Sequence, residues 1–167
     1  MIRVLIGCVA DTHLAGRPVP RAVLDAFEGA DLILHAGDIL DMSVLVELSA
    51  VAETIAVRGN MDRGETASAL PEKRIIEAGG FKIGLTHGSG SPLGITSRVA
   101  RVFEGDGCDC IVFGHTHNAT IKERDGVKLF NPGSPTDRVF ARHNSVGLLE
   151  ITDKLEARVV ELDRRAP

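Results

Sequence analysis

Five times along this chain an apolar run of strand character stops at a short polar turn carrying aspartate, asparagine or histidine. The stretches are "VADTH" with Asp11 and His13, "LHAGD" with Asp38, "VRGN" with Asn60, "LTHG" with His87, and "VFGHTH" with His115 and His117. Near-continuous apolar strands belong to sheets covered on both faces. In open α/β sheets, ligands bind beyond the carboxyl ends of the strands. The pattern therefore calls for an α/β fold that gathers several strand ends at one edge.

The order of elements supports this. "RVLIGCVA", "DLILHAG" and "ETIAVRG" read as strands, separated by helices in "PRAVLDAFEG", opened by Pro20, and "SVLVELSAV". Such a βαβαβ series implies parallel strands with right-handed crossovers. The second half changes character: "KRIIEAGGFKIGLTHG" is a hairpin about Gly79-Gly80, "ITSRVARVFEG" is a helix, and "CDCIVFG" is a strand. "ATIKERDGVKLF" turns at Asp125-Gly126, and "SVGLLEI" and "EARVVEL" flank Asp153-Lys154. These signals imply antiparallel or mixed sheet. With no linker, repeat or low-complexity segment in 167 residues, the reading is one domain, 1–167, of two facing sheets with helices outside.

Composition removes several function classes. No apolar run approaches the ~18 to 20 residues of a membrane span, and the run Val4 to Ala10 ends in Asp11 and His13 rather than in a cleavage site, so it is read as a strand and not a leader. Three cysteines without CxxC spacing favour a reducing, cytoplasmic setting, and Cys108 and Cys110 read as small buried hydrophobes sharing a strand face. A net charge of -4, with 4% aromatic residues and no Trp or Tyr, gives no basic or stacking platform for an extended nucleic acid. A phosphate-bearing substrate is then small and locally held. A homo-oligomer is compatible with the chain.

Two Asp, one Asn and four His form a mixed oxygen and nitrogen set, suited to Mn, Fe, Co, Ni or Zn better than to the all-oxygen shells of Mg and Ca. Seven ligands are too many for one open catalytic ion and fit two ions sharing a carboxylate. Gly37, Gly59, Gly88 and Gly114 adjoin ligands, where a missing Cβ permits close approach. A lone Asp-x-His or Gly-Asn is usually a plain turn; five such turns at five strand ends are not.

The series Asp11-x-His13, Gly37-Asp38, Gly59-Asn60, His87-Gly88 and Gly114-His115-Thr116-His117 resembles that of the calcineurin-like metallophosphoesterase superfamily. The likeness runs from Val4 to about Ser134, including the turn Asn131 to Ser134, and is greatest to the small YfcE-like phosphodiesterase branch. It implies a four-layer α-β-β-α sandwich. It also implies that Asp11, His13, Asp38 and His117 hold one metal ion, and that Asp38, Asn60, His87 and His115 hold a second, with Asp38 bridging. Manganese is the first expectation for both ions.

The resemblance also implies a reaction, attack of a metal-bridging hydroxide on phosphorus. Asp38, Asn60, His87 and Arg58 form the catalytic set, and Asn60 and Arg58 are the contacts to the phosphoryl group. An ion pair at the strand end is an equal alternative for Arg58. In much of the superfamily a histidine follows the metal-binding Asn and is taken to protonate the leaving oxygen; here that position is Met61. General acid help is worth about 10² to 10⁴ in rate, so a phosphodiesterase preferring good leaving groups is expected over a phosphatase acting on simple alcohols. Asp62 reads as a capping or supporting carboxylate, His35 as a buried hydrogen-bonded histidine, and His143 as surface. The alternative function is a non-catalytic scaffold, as in the trafficking branch of the same superfamily.

Overall fold

The computed structural model describes residues 3–163; the ends of the 1–167 span lie outside the described residues. The first half builds β1 (Val4–Val9), α1 (Arg21–Ala26), β2 (Leu32–His35), α2 (Ser43–Ser49) and β3 (Thr54–Ala56). Then come α3 (Gly64–Ala69), β4 (Lys73–Ala78), β5 (Phe81–Thr86), α4 (Ile95–Val102), β6 (Cys110–Val112), β7 (Thr120–Arg124) and β8 (Val127–Asn131). The chain closes with β9 (Asn144–Ile151) and β10 (Leu155–Leu162).

Two five-stranded sheets result, ordered β10-β9-β1-β2-β3 and β4-β5-β6-β8-β7. In the first, β1, β2 and β3 are parallel, with Cys8 beside Leu34 and Leu34 beside Ile55, while β9 runs antiparallel to β1. In the second, β5, β6 and β8 are parallel, and β4 and β7 close the edges as antiparallel strands. Both sheets are therefore mixed, and the β9-β10 hairpin joins the first of them.

Side-chain alternation along each strand sorts the apolar residues into three layers of contact. Ile6, Cys8, Leu34, Ile83, Leu85, Val112, Phe130 and Leu149 fill the space between the sheets. Val9 and Ile33 pack outward against Val23, Phe27, Val44 and Leu48 of the α1 and α2 region. On the far side, Ile111, Phe113 and Leu129 meet Ile95 and Val99 of α4 and Phe103 just after it, spaced four residues apart along one helical face. The expected four-layer sandwich is the result.

Two local readings change. Residues 64–69 form a one-turn-and-a-half helix, α3, that the periodicity of "GETASA" does not announce because only Thr66 is buried. Cys108 precedes β6 rather than sharing its face: it packs in the α4 layer, whereas Cys110 lies between the sheets. No helix among the described residues is long and apolar enough to cross a membrane.

Candidate metal centre

Asp11 follows β1, Asp38 follows β2, Asn60 follows β3, His87 follows β5, and His115 and His117 follow β6, so both sheets deliver ligands to one edge. The turns are stitched together across the sandwich. The amides of Asp11 and His13 donate to the carbonyls of Gly37 and Asp38, each at 3.0 Å, and Gly114 donates to His87 at 3.0 Å. The His115 amide reaches Asp11 Oδ2 at 2.9 Å, linking the second sheet's loop to the first sheet's aspartate.

The backbone there is unusual. Asp11, His13, Asp38, His115 and His117 all have positive φ, between 45° and 74°. Non-glycine residues avoid this left-handed region, and such conformations cost of order 1–3 kcal/mol each. Their concentration in the candidate ligands shows a strained edge held by its surroundings. At Gly59 even a methyl group is excluded: a Cβ would stand 2.1 Å from Asp38 Oδ1 and 2.5 Å from its amide nitrogen.

Two clusters of ligand atoms form. Around the first, Asp11 Oδ1 lies 3.9 Å from His13 Nε2 and 3.5 Å from His117 Nε2, and Asp38 Oδ2 lies 3.6 Å from His13 Nε2. Around the second, His87 Nε2 is 3.3 Å from Asp38 Oδ2 and 3.0 Å from Asn60 Oδ1, and His115 Nδ1 is 3.0 Å from the same Asn60 oxygen. Asp38 Oδ2 thus faces both groups. Asp11 Oδ1 is also within 3.8 Å of His87 Nε2, so the two clusters share that edge as well.

The other nitrogens of three imidazoles are already engaged. His87 Nδ1 donates to the Ala36 carbonyl at 2.7 Å, His115 Nε2 to the Gly90 carbonyl at 2.7 Å, and His117 Nδ1 to Asp137 at 2.6 Å. Each such bond fixes the tautomer and turns the remaining lone pair inward, as metal-binding histidines require. Asp11 Oδ1, fully buried, has no hydrogen-bond partner among the described residues. A buried carboxylate oxygen left unpaired is costly; ringed by imidazole nitrogens, it fits a cation. In the metal-free state the same crowding shifts the titration of the groups. His117 is raised to about 9, chiefly by the Asp11 carboxylate 3.5 Å from its Nε2, against the effect of burial. For Asp38, burial is outweighed by His87 and the Met61 amide, which hold its carboxyl below the usual range.

Supporting residues explain the geometry. Asp62 accepts four backbone N–H bonds, from Asp38, Ile39, Leu40 and Gly59, between 2.7 and 3.0 Å. Its carboxylate is buried and fully occupied, a scaffold for the Asp38 turn and not a proton donor to substrate. His35 accepts from the Gly37 amide at 3.2 Å and meets Thr12 Oγ1 at 3.0 Å; complete burial depresses it to about 3, keeping it neutral. Asn131 donates to the Gly114 carbonyl and to Thr116 Oγ1, and Ser134 donates to the Asp11 carbonyl, so the "NPGS" turn braces both sheets' ligand loops.

Arg58 stands apart from the gathered residues. Its guanidinium donates to the Ala67 carbonyl at 2.7 Å and to Glu72 at 2.8 Å, the ion-pair arrangement that is the alternative to a phosphate contact, and ties the end of β3 to the α3–β4 segment. His143 is exposed, 3.9 Å from Glu161. Asp137 is the residue that sequence reasoning passed over; its only signal is a carboxylate three positions after Ser134 in a turn-rich stretch.

A family model described as the calcineurin-like phosphoesterase superfamily domain matches residues 4–154. The chain belongs to that superfamily. It is 38% identical over 158 residues to a probable metallophosphoesterase of Methanothermobacter thermautotrophicus, covering 93% of this chain and 91% of that one. It is 28% identical to a phosphodiesterase of Methanocaldococcus jannaschii, covering 95% and 99% respectively. Among solved structures it is similar to Vps29 of Entamoeba histolytica complexed with zinc, with a TM-score of 0.75, 27% identity, and coverage of 95% and 99%. Membership implies a phosphoesterase whose chemistry uses divalent metal ions, and two groups at the sheet edge, Asp11 with His13 and His117 and Asp11 with Asp38 and His87, could hold such ions.

Proposed function

We propose that this chain, acting as one domain over residues 1–167, is a dinuclear metal-dependent phosphodiesterase of small phosphodiesters. The observation that carries the reading is Asp38 Oδ2, which faces His13 Nε2 at 3.6 Å and His87 Nε2 at 3.3 Å, one from each cluster. Asp11, His13, Asp38 and His117 would hold one ion, and Asp38, Asn60, His87 and His115 the other. Bound there, divalent ions supply positive charge for the phosphoryl oxygens and lower the pKa of water enough for hydrolysis near neutral pH. The mixed donor set favours manganese, with Ni, Co, Fe or Zn as alternatives. The three free cysteines support a reducing, cytoplasmic setting.

The chain's own groups do the positioning. The Met61 amide donates to Asp38 Oδ1 at 2.8 Å, which leaves Oδ2 for the two clusters. The Met61 side chain is 48% exposed and brings no proton. With Asp62 fully engaged by amides, no group at this turn protonates a departing oxygen. Acidic leaving groups, which depart as stable anions, are therefore favoured over alkoxides. The likeness to Vps29 supports a second reading, a protein-interaction module without turnover.

One assay separates the two. The protein is stripped of metal and supplied in turn with Mn, Ni, Co, Zn and Mg, and hydrolysis of bis(p-nitrophenyl) phosphate is followed. Metal-dependent turnover that Asp38→Ala abolishes is the expected result. Wild-type protein that binds metal and remains inert with every ion overturns the enzymatic reading.

A further inference from the structure

A cleft of about 940 Å³ opens directly beside the candidate metal centre, with His13 and His117 in its wall. It is far larger than a phosphoryl group and falls in the size range of small-molecule sites. Leu14, Val19 and Leu162 give it an apolar floor, and Pro18 and Pro20 stiffen one side. A substrate anchored by its phosphorus at the ligands has one ester arm next to this cleft.

Phe140 also lines the cleft, 73% exposed although its ring stands edge-on to His117, centroid to centroid 6.2 Å. Exposed phenylalanine at a site mouth calls for a reason, and the backbone shows that its place is built. Asp137, the carboxylate that orients His117, also accepts the amides of Val139, Phe140 and Ala141, at distances from 2.8 to 3.3 Å. One side chain thus ties the ring's segment to a candidate metal ligand. Flat, apolar and held, such a ring is a stacking surface for another aromatic ring.

The cleft's charges point the same way. On a chain of net charge -4, Arg17 and Arg138 both line it and are exposed. Arg17 makes only a 3.4 Å contact to the His13 carbonyl, and Arg138 makes no ion pair among the described residues. Arg21, which also lines the cleft, is spent on Asp25 at 2.7 Å, and the acidic residues of the lining are Asp137 and Asp163. Two available guanidinium groups lining the same cleft as the aromatic ring match a second anionic group on the same ligand.

We propose that this cleft binds the ester arm that stays on phosphorus when the acidic leaving group departs, and that this arm is a nucleoside bearing a second phosphate: Phe140 stacks on the base while Arg17 and Arg138 take the second phosphate. The inference rests on the phosphoesterase reading for its anchor point, but is tested by binding as well as by turnover. Manganese-loaded protein is titrated calorimetrically with thymidine 3',5'-bisphosphate, thymidine 5'-phosphate and ribose 5-phosphate, and hydrolysis of bis(p-nitrophenyl) phosphate is measured on the same preparation.

The bisphosphate binds about tenfold tighter than the monophosphate nucleotide, and that one tighter than the sugar phosphate. Phe140→Ala weakens both nucleotides about tenfold, the scale of one base stacked on one aromatic side chain, and leaves ribose 5-phosphate unchanged. The Arg17→Ala/Arg138→Ala double variant removes only the advantage of the second phosphate. All three changes are at exposed positions, and an unchanged melting temperature verifies folding. Equal binding of the three ligands, or equal losses on all of them in the variants, overturns the proposal even if turnover is present. Discrimination without turnover keeps the cleft assignment and sinks the hydrolytic reading alone.

Discussion

His117 Nδ1 stands 2.6 Å from the carboxylate of Asp137, twenty residues further along the chain. The pair decides which imidazole nitrogen faces Asp11, whose Oδ1 is 3.5 Å from His117 Nε2. Replacing Asp137 with Asn keeps the shape but removes the charge that fixes this orientation. Metal affinity is expected to fall by about 10- to 100-fold, as for other partners that orient metal-binding histidines. Competition with a fluorescent chelator measures it, and an unchanged affinity refutes the orienting role.

The same pair makes the metal-free fold sensitive to pH. His117 is raised from 6.5 to about 9, so its contribution is complete below 6.5 and is lost as pH rises through 9. Asp137 is lowered from 3.8 to about 2: burial opposes the shift, but the Val139 amide and His117 outweigh it, so its contribution holds above 3.8 and is lost as pH falls through 2. Melting temperatures of chelator-treated protein should therefore drop between pH 6.5 and 9.5. The drop should be smaller in Asp137→Asn, and metal uptake near neutral pH should release protons. Equal pH profiles for both proteins count against this account.

Asp62 carries four amides that nothing else on its loop can satisfy. Asp62→Ala leaves buried donors unpaired, at a cost of about 3 kcal/mol or more. In urea the unfolding midpoint should fall by more than about 1 M. A stable variant with lost activity would instead point to a direct chemical role.

Gly59 is the tightest backbone contact at the site. Gly59→Ala puts a methyl group on Asp38 Oδ1, where only 2.1 Å is available, so the aspartate must move. The expected cost is about 1–3 kcal/mol of stability, together with weakened metal binding, read by calorimetric titration. Retention of both, with wild-type values, would show that the turn has slack.

Met61→His restores an acid at the mouth. Rates on alkyl phosphodiesters and monoesters should rise, by up to about 10²-fold, with little change on aryl diesters. A uniform change across leaving groups removes the missing-acid explanation.

Much of this site is legible in the sequence because its ligands are local events. Each sits within a few residues of a strand end, and the near-continuous apolar run before it predicts where that strand stops. The βαβαβ half follows from periodicity in the same way. Asp137 is not legible, because its role depends on His117, a partner brought close by the sandwich; for Arg58 the sequence leaves an ion pair and a phosphate contact equally open, and only the fold brings Ala67 and Glu72 to it. Helix α3 escapes for a related reason, since a six-residue segment with one buried residue carries almost no pattern.

By itself, the sequence determined the chemical alphabet of the site and the layering of the fold, since apolar strands broken by Asp, Asn and His turns can bury their faces only between helices and a second sheet. The tertiary structure decided how that alphabet is read. Packing the two sheets face to face forces five ligand residues into left-handed backbone and leaves Asp11 Oδ1 buried without a hydrogen-bond partner among the described residues. It also turns Asp38 Oδ2 toward both clusters, because the Asp62 carboxylate and the absent Cβ of Gly59 fix that turn from behind.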